Sequence, residues 1–302
     1  MALATDYLID RRRLKRRLTV WQLVAVAAVV GIAIAAYGRF DGLVSRSHVA
    51  RLTVTGIIAD DPERDQALEA LKEDGSVKAL VVRIDSPGGT VVGGEALYRR
   101  LDEISGRIPV IAVMGEVATS AAYMTALAGE RIFAREGTLT GSIGVIMQTA
   151  NVTGLLDKLG IEPESIKSGP LKAQPNPLEP FTPAAREATE AVVADIFQMF
   201  VAMVEERRKM SHDDVVRLAD GRVYTGRQAL ANGLIDAIGG ESEARQWLQD
   251  TKKVSASLPI RDVATADTAT QVSRWLGTVA GKALLPETLN LDGLVSVWHP
   301  RM

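Results

Sequence analysis

The chain has 302 residues, 47% of them hydrophobic and 24% charged, with a formal net charge of -2. Those proportions allow a full apolar core and exclude a disordered chain, a fibre and a strongly basic nucleic-acid binder. Cysteine is absent, which also excludes disulfides, a thiol nucleophile and a cysteine-ligated metal, and only His48, His212 and His299 supply imidazole.

Charge is unevenly placed. Residues 1–17 carry six basic side chains against Asp6 and Asp10, and from Leu18 to Tyr37 no charged residue occurs. A helix of that length reaches roughly 30 Å, the thickness of a bilayer core. Trp21 and Tyr37 stand near its ends, where amphipathic aromatics favour headgroup level. The run is longer than the apolar region of a cleaved signal peptide and lacks a small-residue cleavage site. It predicts a transmembrane signal anchor over 18–37 behind a basic cytoplasmic segment, 1–17. The remainder then lies outside the cytoplasm, reached through a linker over 38–48.

Beyond the linker, apolar β-rich runs alternate with amphipathic stretches. Strands are predicted over Val49–Ile58, Val77–Asp85, Pro109–Met114, Arg131–Ala134 and Ser142–Met147. Helices are predicted over Glu63–Glu73, Val92–Ile104 and Thr119–Ala128. This alternation implies βα units with helices covering a largely parallel sheet. Thr182-Pro183 supplies an N-cap and an N1 proline for a long helix to Lys209. Ser211–Asp214 and Thr225–Gln228 have capping-box spacing, and the four prolines of 170–180 mark an irregular segment. The folded domain is expected over 49–250, with a tail over 251–302 in which Gln271–Leu285 suits an amphipathic helix.

Three segments carry candidate chemistry. Asp85-Ser-Pro-Gly-Gly-Thr90 follows a buried strand, and paired glycines let the backbone turn sharply and expose N–H groups. Such groups suit an oxyanion or a phosphate, and an ordinary glycine turn has the same sequence. Ser120 opens the next helix, where the helix N-terminus favours developing negative charge and Ala121 N–H is a natural oxyanion donor. A serine there is more often simply an N-cap. A nucleophilic serine needs a base. None of the three histidines falls at a strand end or glycine loop, so a Ser–His–Asp triad is disfavoured. A lysine kept neutral by desolvation or positive potential is the alternative, and Lys167 and Lys172 both lie in a loop poor in carboxylates.

Five stretches in register resemble the signal peptide peptidase A (protease IV) family of serine–lysine peptidases. They are Asp85–Gly89, Met114–Ser120, Thr138–Val145, Ile166–Gly169 with Lys172, and Ala219–Gly226. The resemblance implies Ser120 as nucleophile, Lys172 as general base and Ser142 as the hydroxyl that positions the lysine. It implies an oxyanion hole from the N–H groups of Gly89 and Ala121. Strands around Val91–Val92 and around Ile143, Gly144 and Val145 would bracket an extended apolar peptide. The implied fold is an α/β crotonase/Clp-protease-like spiral of ββα units behind one transmembrane helix. The implied assembly is a homo-oligomeric ring in which one subunit's serine meets a neighbour's lysine.

The expected substrates are then released signal peptides, cleaved at a bacterial inner membrane on its periplasmic side, with no metal, cofactor or nucleic acid required. The chain departs from the family pattern after the nucleophile, where Ser120-Ala-Ala-Tyr123 replaces a glycine-bearing sequence. That puts a methyl where glycine lets substrate approach. Two other readings fit parts of the sequence: an acyl-CoA hydratase or isomerase, whose chemistry shares the implied fold, and a catalytically silent membrane scaffold.

Overall fold

The computed structural model describes residues 47–264, together with Leu18 and the stretches 21–26 and 28–29. The described residues of the expected anchor are helical, with Trp21, Leu23, Val24 and Val26 exposed; the rest of it, and the helix expected over 271–285, lie outside the described residues. Among the described residues no helix is long and apolar enough to cross a membrane.

Eight strands form one mixed sheet: β1 (His48–Ile58), β2 (Val77–Gly89), β3 (Val110–Thr119), β4 (Arg131–Ala134), β5 (Leu139–Gly141), β6 (Val223–Thr225), β7 (Ala237–Ile238) and β8 (Ile260–Asp262). Their main order is β6-β5-β3-β2-β1-β8, and every pairing is parallel except β5 with β6. β3 takes two partners on one side in succession. Its Ile111–Val113 pair with β4, and its Val117–Thr119 pair with β5. Because β8 pairs with β1, the sheet takes in residues beyond 250.

The helices between and beyond the strands are α1 (Pro62–Glu73), α2 (Val91–Ser105), α3 (Ala121–Ala126), α4 (Thr153–Leu159), α5 (Pro183–Arg208), α6 (His212–Leu218), α7 (Gly226–Ala231) and α8 (Glu241–Lys252). Local chemistry starts several of them. Asp61 Oδ1 accepts from the N–H groups of Glu63 and Arg64 at the head of α1, with Pro62 in its first turn. Thr182 Oγ1 caps α5 through Ala185 N–H at 3.2 Å, ahead of Pro183. The capping box at Thr225 and Gln228 closes in both directions, whereas at Ser211 only the serine-to-Asp214 N–H half forms.

Both faces of the central strands are buried, which is why their sequences are nearly continuous apolar runs. Alternate residues serve different layers. Leu80, Val82 and Ile84 of β2, with Ala112 and Met114 of β3, pack beside Leu97, Leu101 and Ile104 of α2 and Phe200 and Val204 of α5. Ala79, Val81, Ile111 and Val113 point the other way, onto Ala244 and Leu248 of α8.

Four expectations are corrected. The Asp85–Gly89 segment is not a sharp turn; it extends β2, with Gly88 and Gly89 in register with Ile57 and Ile58. Bulges at Thr55/Ile57 and Ile84/Ser86 keep it in the ladder. The strand expected over Ser142–Met147 is absent, because Gly141 and Ser142 turn to positive φ (81° and 49°) and lead the chain out of β5. Val91 and Val92 start α2, in line with the helix expected over Val92–Ile104 and against the strand that the resemblance implies there, since Thr90 Oγ1 caps that helix through Gly93 N–H at 3.0 Å. The helix expected from Thr119 begins at Ala121, because Thr119 still pairs with Gly141.

Leu80 is fully buried, and truncating it leaves a cavity on the helix-covered face. Leu80→Ala is expected to lower unfolding free energy by roughly 2–5 kcal/mol in urea titrations. Ile57→Ala, at a position 71% exposed, is expected to change it by no more than about 0.5 kcal/mol.

Candidate active site

The site forms at the C-terminal ends of β1, β2 and β3. At the end of β2, Gly88 has φ of 116°, and a Cβ there would lie 3.0 Å from both Ser120 Cβ and Thr119 O. A Cβ on Gly89 would lie 1.9 Å from Ile58 O. Neither position admits a side chain, and the missing atoms let the β2 backbone reach Ser120. Thr90 N–H donates to Ile58 O at 2.8 Å, so the preceding Gly89 N–H, one residue back in the alternation, faces away from β1.

Buried hydroxyls hold this segment. Ser86 Oγ donates to Gly56 O at 2.6 Å and accepts from Gly88 N–H at 3.1 Å. Thr119 Oγ1 donates to Pro87 O at 2.9 Å, and Asp85 Oδ1 accepts from Val117 N–H at 3.1 Å. These residues tie β2 to β1 and β3 around the glycines. Ser86 and Thr119 have the same sequence signature as any small polar residue in a strand, so their role is not visible there.

Ser120 stands on the turn from β3 into α3 with φ 55° and ψ -121°, a conformation that costs a non-glycine residue energy. Its N–H donates to Gly141 O at 2.9 Å, and its carbonyl accepts from Met124 N–H at 2.9 Å. Its hydroxyl makes no capping hydrogen bond. The N-cap explanation for a serine at this position is therefore set aside. Ala121 N–H belongs to the first turn of α3, and a Cβ on Gly88 would lie 3.3 Å from that nitrogen.

The methyl expected to crowd substrate points elsewhere. A Cβ on Gly94 of α2 would lie 2.8 Å from Ala121 Cβ, so the Ala121 methyl is packed against α2, and Ala122 is fully buried. Below them Tyr123 Oη donates to Leu234 O at 2.8 Å, and burial pushes its phenol well above the ordinary range.

Ser142 is brought beside Ser120 by β5. Gly141, which receives the Ser120 N–H, is its chain neighbour, and Ser142 N–H donates to Arg222 O at 2.8 Å. A Cβ on Gly141 would lie 2.6 Å from the Tyr224 ring, so this strand too depends on a glycine. Ile143 is buried, while Gly144 and Val145 are half-exposed. Val91 is half-exposed and Val92 exposed at the start of α2.

Lys172 is not gathered in. It is exposed within the irregular stretch 160–182, and among the described residues no hydrogen bond joins it to Ser120 or Ser142. Lys167 pairs instead with Glu179, whose carboxyl this bond holds below the usual carboxylate range. His48 shares a contact of 3.2 Å with Ser76 Oγ at the start of β1, the opposite end from the glycines. His212 is exposed and 2.6 Å from Glu205 Oε1. His299 lies outside the described residues.

The profile of peptidase family S49 matches residues 103–255, which include Ser120, Ser142 and Lys172. A relative from Synechocystis sp. that carries the name of a protease is 41% identical over 205 residues, 67% of this chain and 74% of that one. A relative from Enterococcus faecium that carries the name signal peptide peptidase SppA is 32% identical over 269 residues, 84% of this chain and 78% of that one. Among solved structures, a ClpP1 point mutant from Listeria monocytogenes is similar at a TM-score of 0.44 and 16% identity, covering 64% of this chain and 92% of that one. The profile match over half the chain and the two relatives matched over most of their length show that the chain belongs to peptidase family S49 and is a serine peptidase of the signal peptide peptidase A type.

Proposed function

We propose that this chain cleaves apolar peptides through a Ser120–Lys172 dyad and an acyl-enzyme. The observation that carries the reading is the strained Ser120 turn, whose hydroxyl is left uncapped beside two glycines and a helix-start N–H. Lys172, in its neutral form, takes the proton from Ser120 Oγ as that oxygen attacks the scissile carbonyl. The oxyanion is received by Gly89 N–H and Ala121 N–H, donors preorganised by backbone rather than by mobile side chains. As the tetrahedral intermediate collapses, the lysine ammonium returns its proton to the departing amine. Water, activated by the same lysine, then releases the acyl group.

Ser142 is taken as the hydroxyl that holds the lysine, a reading supported by its being the chain neighbour of Gly141, whose carbonyl accepts from Ser120 N–H. Val91, Val92 and Val145 are taken as an apolar border for substrate with Gly144 between, whereas the Ile143 side chain is fully buried in the core and does not reach it. Family S49 membership sets aside the acyl-CoA reading.

The lysine arrives from a neighbouring copy on this reading. Within one chain Lys172 is exposed and unbonded to either serine, and its stretch exposes Ile166, Leu171 and Leu178. A homo-oligomeric ring, as the family resemblance implies, covers those residues and completes each site. The same reading takes the fold as a spiral of ββα units. It takes residues 18–37 as a single-pass anchor in a bacterial inner membrane, with the peptidase domain periplasmic and released signal peptides as substrates.

Ser120→Ala and Lys172→Ala are each expected to lower kcat on an apolar fluorogenic peptide by roughly 10³-fold or more. Full activity in either purified variant overturns the dyad. Mixing the two inactive variants is expected to restore part of the activity, since a ring then contains sites with serine and lysine from different chains. No recovery after dissociation and reassembly sinks the shared site. Gly88→Ala is expected to cost about 10²–10³-fold in kcat, the scale of losing an oxyanion donor, because its Cβ would press on Ser120.

A further inference from the structure

The stretch 160–182 contains no helix or strand; Val152 N–H donates to Pro177 O at 3.0 Å from outside it, and the bonds nearest Lys172 lie inside it. Two backbone bonds close the turn beneath it. Lys172 N–H donates to Gly169 O at 3.1 Å, and Gln174 N–H donates to Leu171 O at 3.2 Å. The side chains on either side of that turn converge on one atom. Glu179 Oε2 accepts from Lys167 Nζ and from Gln174 Nε2, the latter at 2.5 Å. Asn176 braces the return, its Nδ2 donating to Ala173 O and its Oδ1 accepting from Leu178 N–H, both at 2.9 Å. Lys167 and Glu179 are largely covered, at 17% and 24% side-chain exposure.

We infer that Glu179 is a positioning residue for the base, clasping both ends of the turn that presents Lys172. This rests on the reading of Lys172 as general base. A turn anchored only by two backbone bonds has many orientations of nearly equal energy. One carboxylate that joins positions 167 and 174 removes most of them, so the lysine is offered to the neighbouring site in one direction.

The clasp has a second effect. Lys167 neutralises Glu179, and among the described residues no carboxylate pairs with Lys172. A carboxylate partner would favour the charged ammonium, which cannot act as a base. The division of labour also separates the two lysines that their shared loop leaves equivalent: Lys167 builds the turn and Lys172 is displayed by it. Lys167 holds the Glu179 carboxyl below its ordinary range, so the carboxylate that accepts both bonds is ionised at neutral pH.

The test uses the full chain in detergent, with peptide kinetics and thermal melting. Glu179→Gln is expected to lower kcat by roughly 10- to 100-fold, the scale of displacing a catalytic group by about 1 Å. KM is expected to stay within about two-fold, since no substrate contact is lost. The melting temperature is expected to be unchanged, because the stretch lies outside the packed core. The double variant Lys167→Glu with Glu179→Lys, which restores the pair reversed, is expected to recover most of the lost kcat. If Glu179→Gln turns over at the wild-type rate while Lys172→Ala is inactive, the clasp is overturned and the base stands. If Lys172→Ala is itself active, the reading beneath the clasp falls. If the reversed pair remains as slow as Glu179→Gln, the ion pair is not what positions the turn.

Discussion

The backbone of β2 meets the β3–α3 turn at a distance that side chains forbid. Gly88 reaches Ser120 and Thr119 O so closely that a single added carbon would sit 3.0 Å from each. The other features of the serine side of the site depend on that approach. It brings the end of β2 against Ser120 and Ala121 N, and on the proposed reading the N–H groups of Gly89 and Ala121 receive the oxygen that gains charge. Backbone donors need no rotamer choice, and their strength in a water-poor cleft comes from being fixed before the reaction. The buried hydroxyls of Ser86 and Thr119 hold the β2 segment from opposite sides.

Holding Ser120 in its conformation costs on the order of 1–3 kcal/mol, and the fold must supply that from elsewhere. Two backbone bonds contribute directly, from Ser120 N–H to Gly141 O and from Met124 N–H to Ser120 O. Packing contributes more. Every residue of α3 is buried, and the helix lies against α2 through a contact between Gly94 and the Ala121 methyl. Gly93, one residue earlier, allows the same helix to approach Ala59, where a Cβ would lie 2.5 Å from the Ala59 carbonyl carbon. The Ala121 methyl in the Ser120-Ala-Ala stretch is thus matched on α2 by a glycine. The extra methyl fills the helix interface and leaves the substrate side open.

The parts of this arrangement that sequence makes legible are those governed by local or periodic physics. Parallel strands buried on both faces read as unbroken apolar runs, so β2 and the first half of β3 are predictable. Caps at Thr182 and Thr225 announce their helices. Where the sequence misleads, a tertiary contact overrides a local preference. The family resemblance implies a strand around Val91–Val92, yet the Thr90 cap places them in the helix that the periodicity predicts from Val92. The apolar run after Ser142 suggests a strand, but the actual strand is the short Leu139–Gly141, recruited because β3 offers it Val117–Thr119. Ser120 and Ser142 are singled out by motif register. That the Ser120 hydroxyl is uncapped is not, because it depends on a backbone angle. Glu179 is invisible for another reason: its partners lie five and twelve positions away in a chain with no period to follow.

The nucleophile and the proposed base belong to parts of the chain with different mechanical character. Ser120 is locked by strands, helices and glycine contacts, and it cannot shift without disturbing the core. Lys172 sits on an irregular stretch whose residues 167 and 174 are joined by the Glu179 carboxylate. A dyad needs both groups within hydrogen-bond reach, and one chain alone does not join them. Precision on the serine side therefore has to be met by precision on the lysine side, and for a base delivered across a subunit boundary that comes from two sources. The neighbouring surface sets where the stretch lies, and the clasp sets which way the lysine faces once it is there. On this view assembly acts as a gate on hydrolysis. If the proposed shared site holds, a free chain keeps its strained serine but has no base beside it until a second copy supplies one.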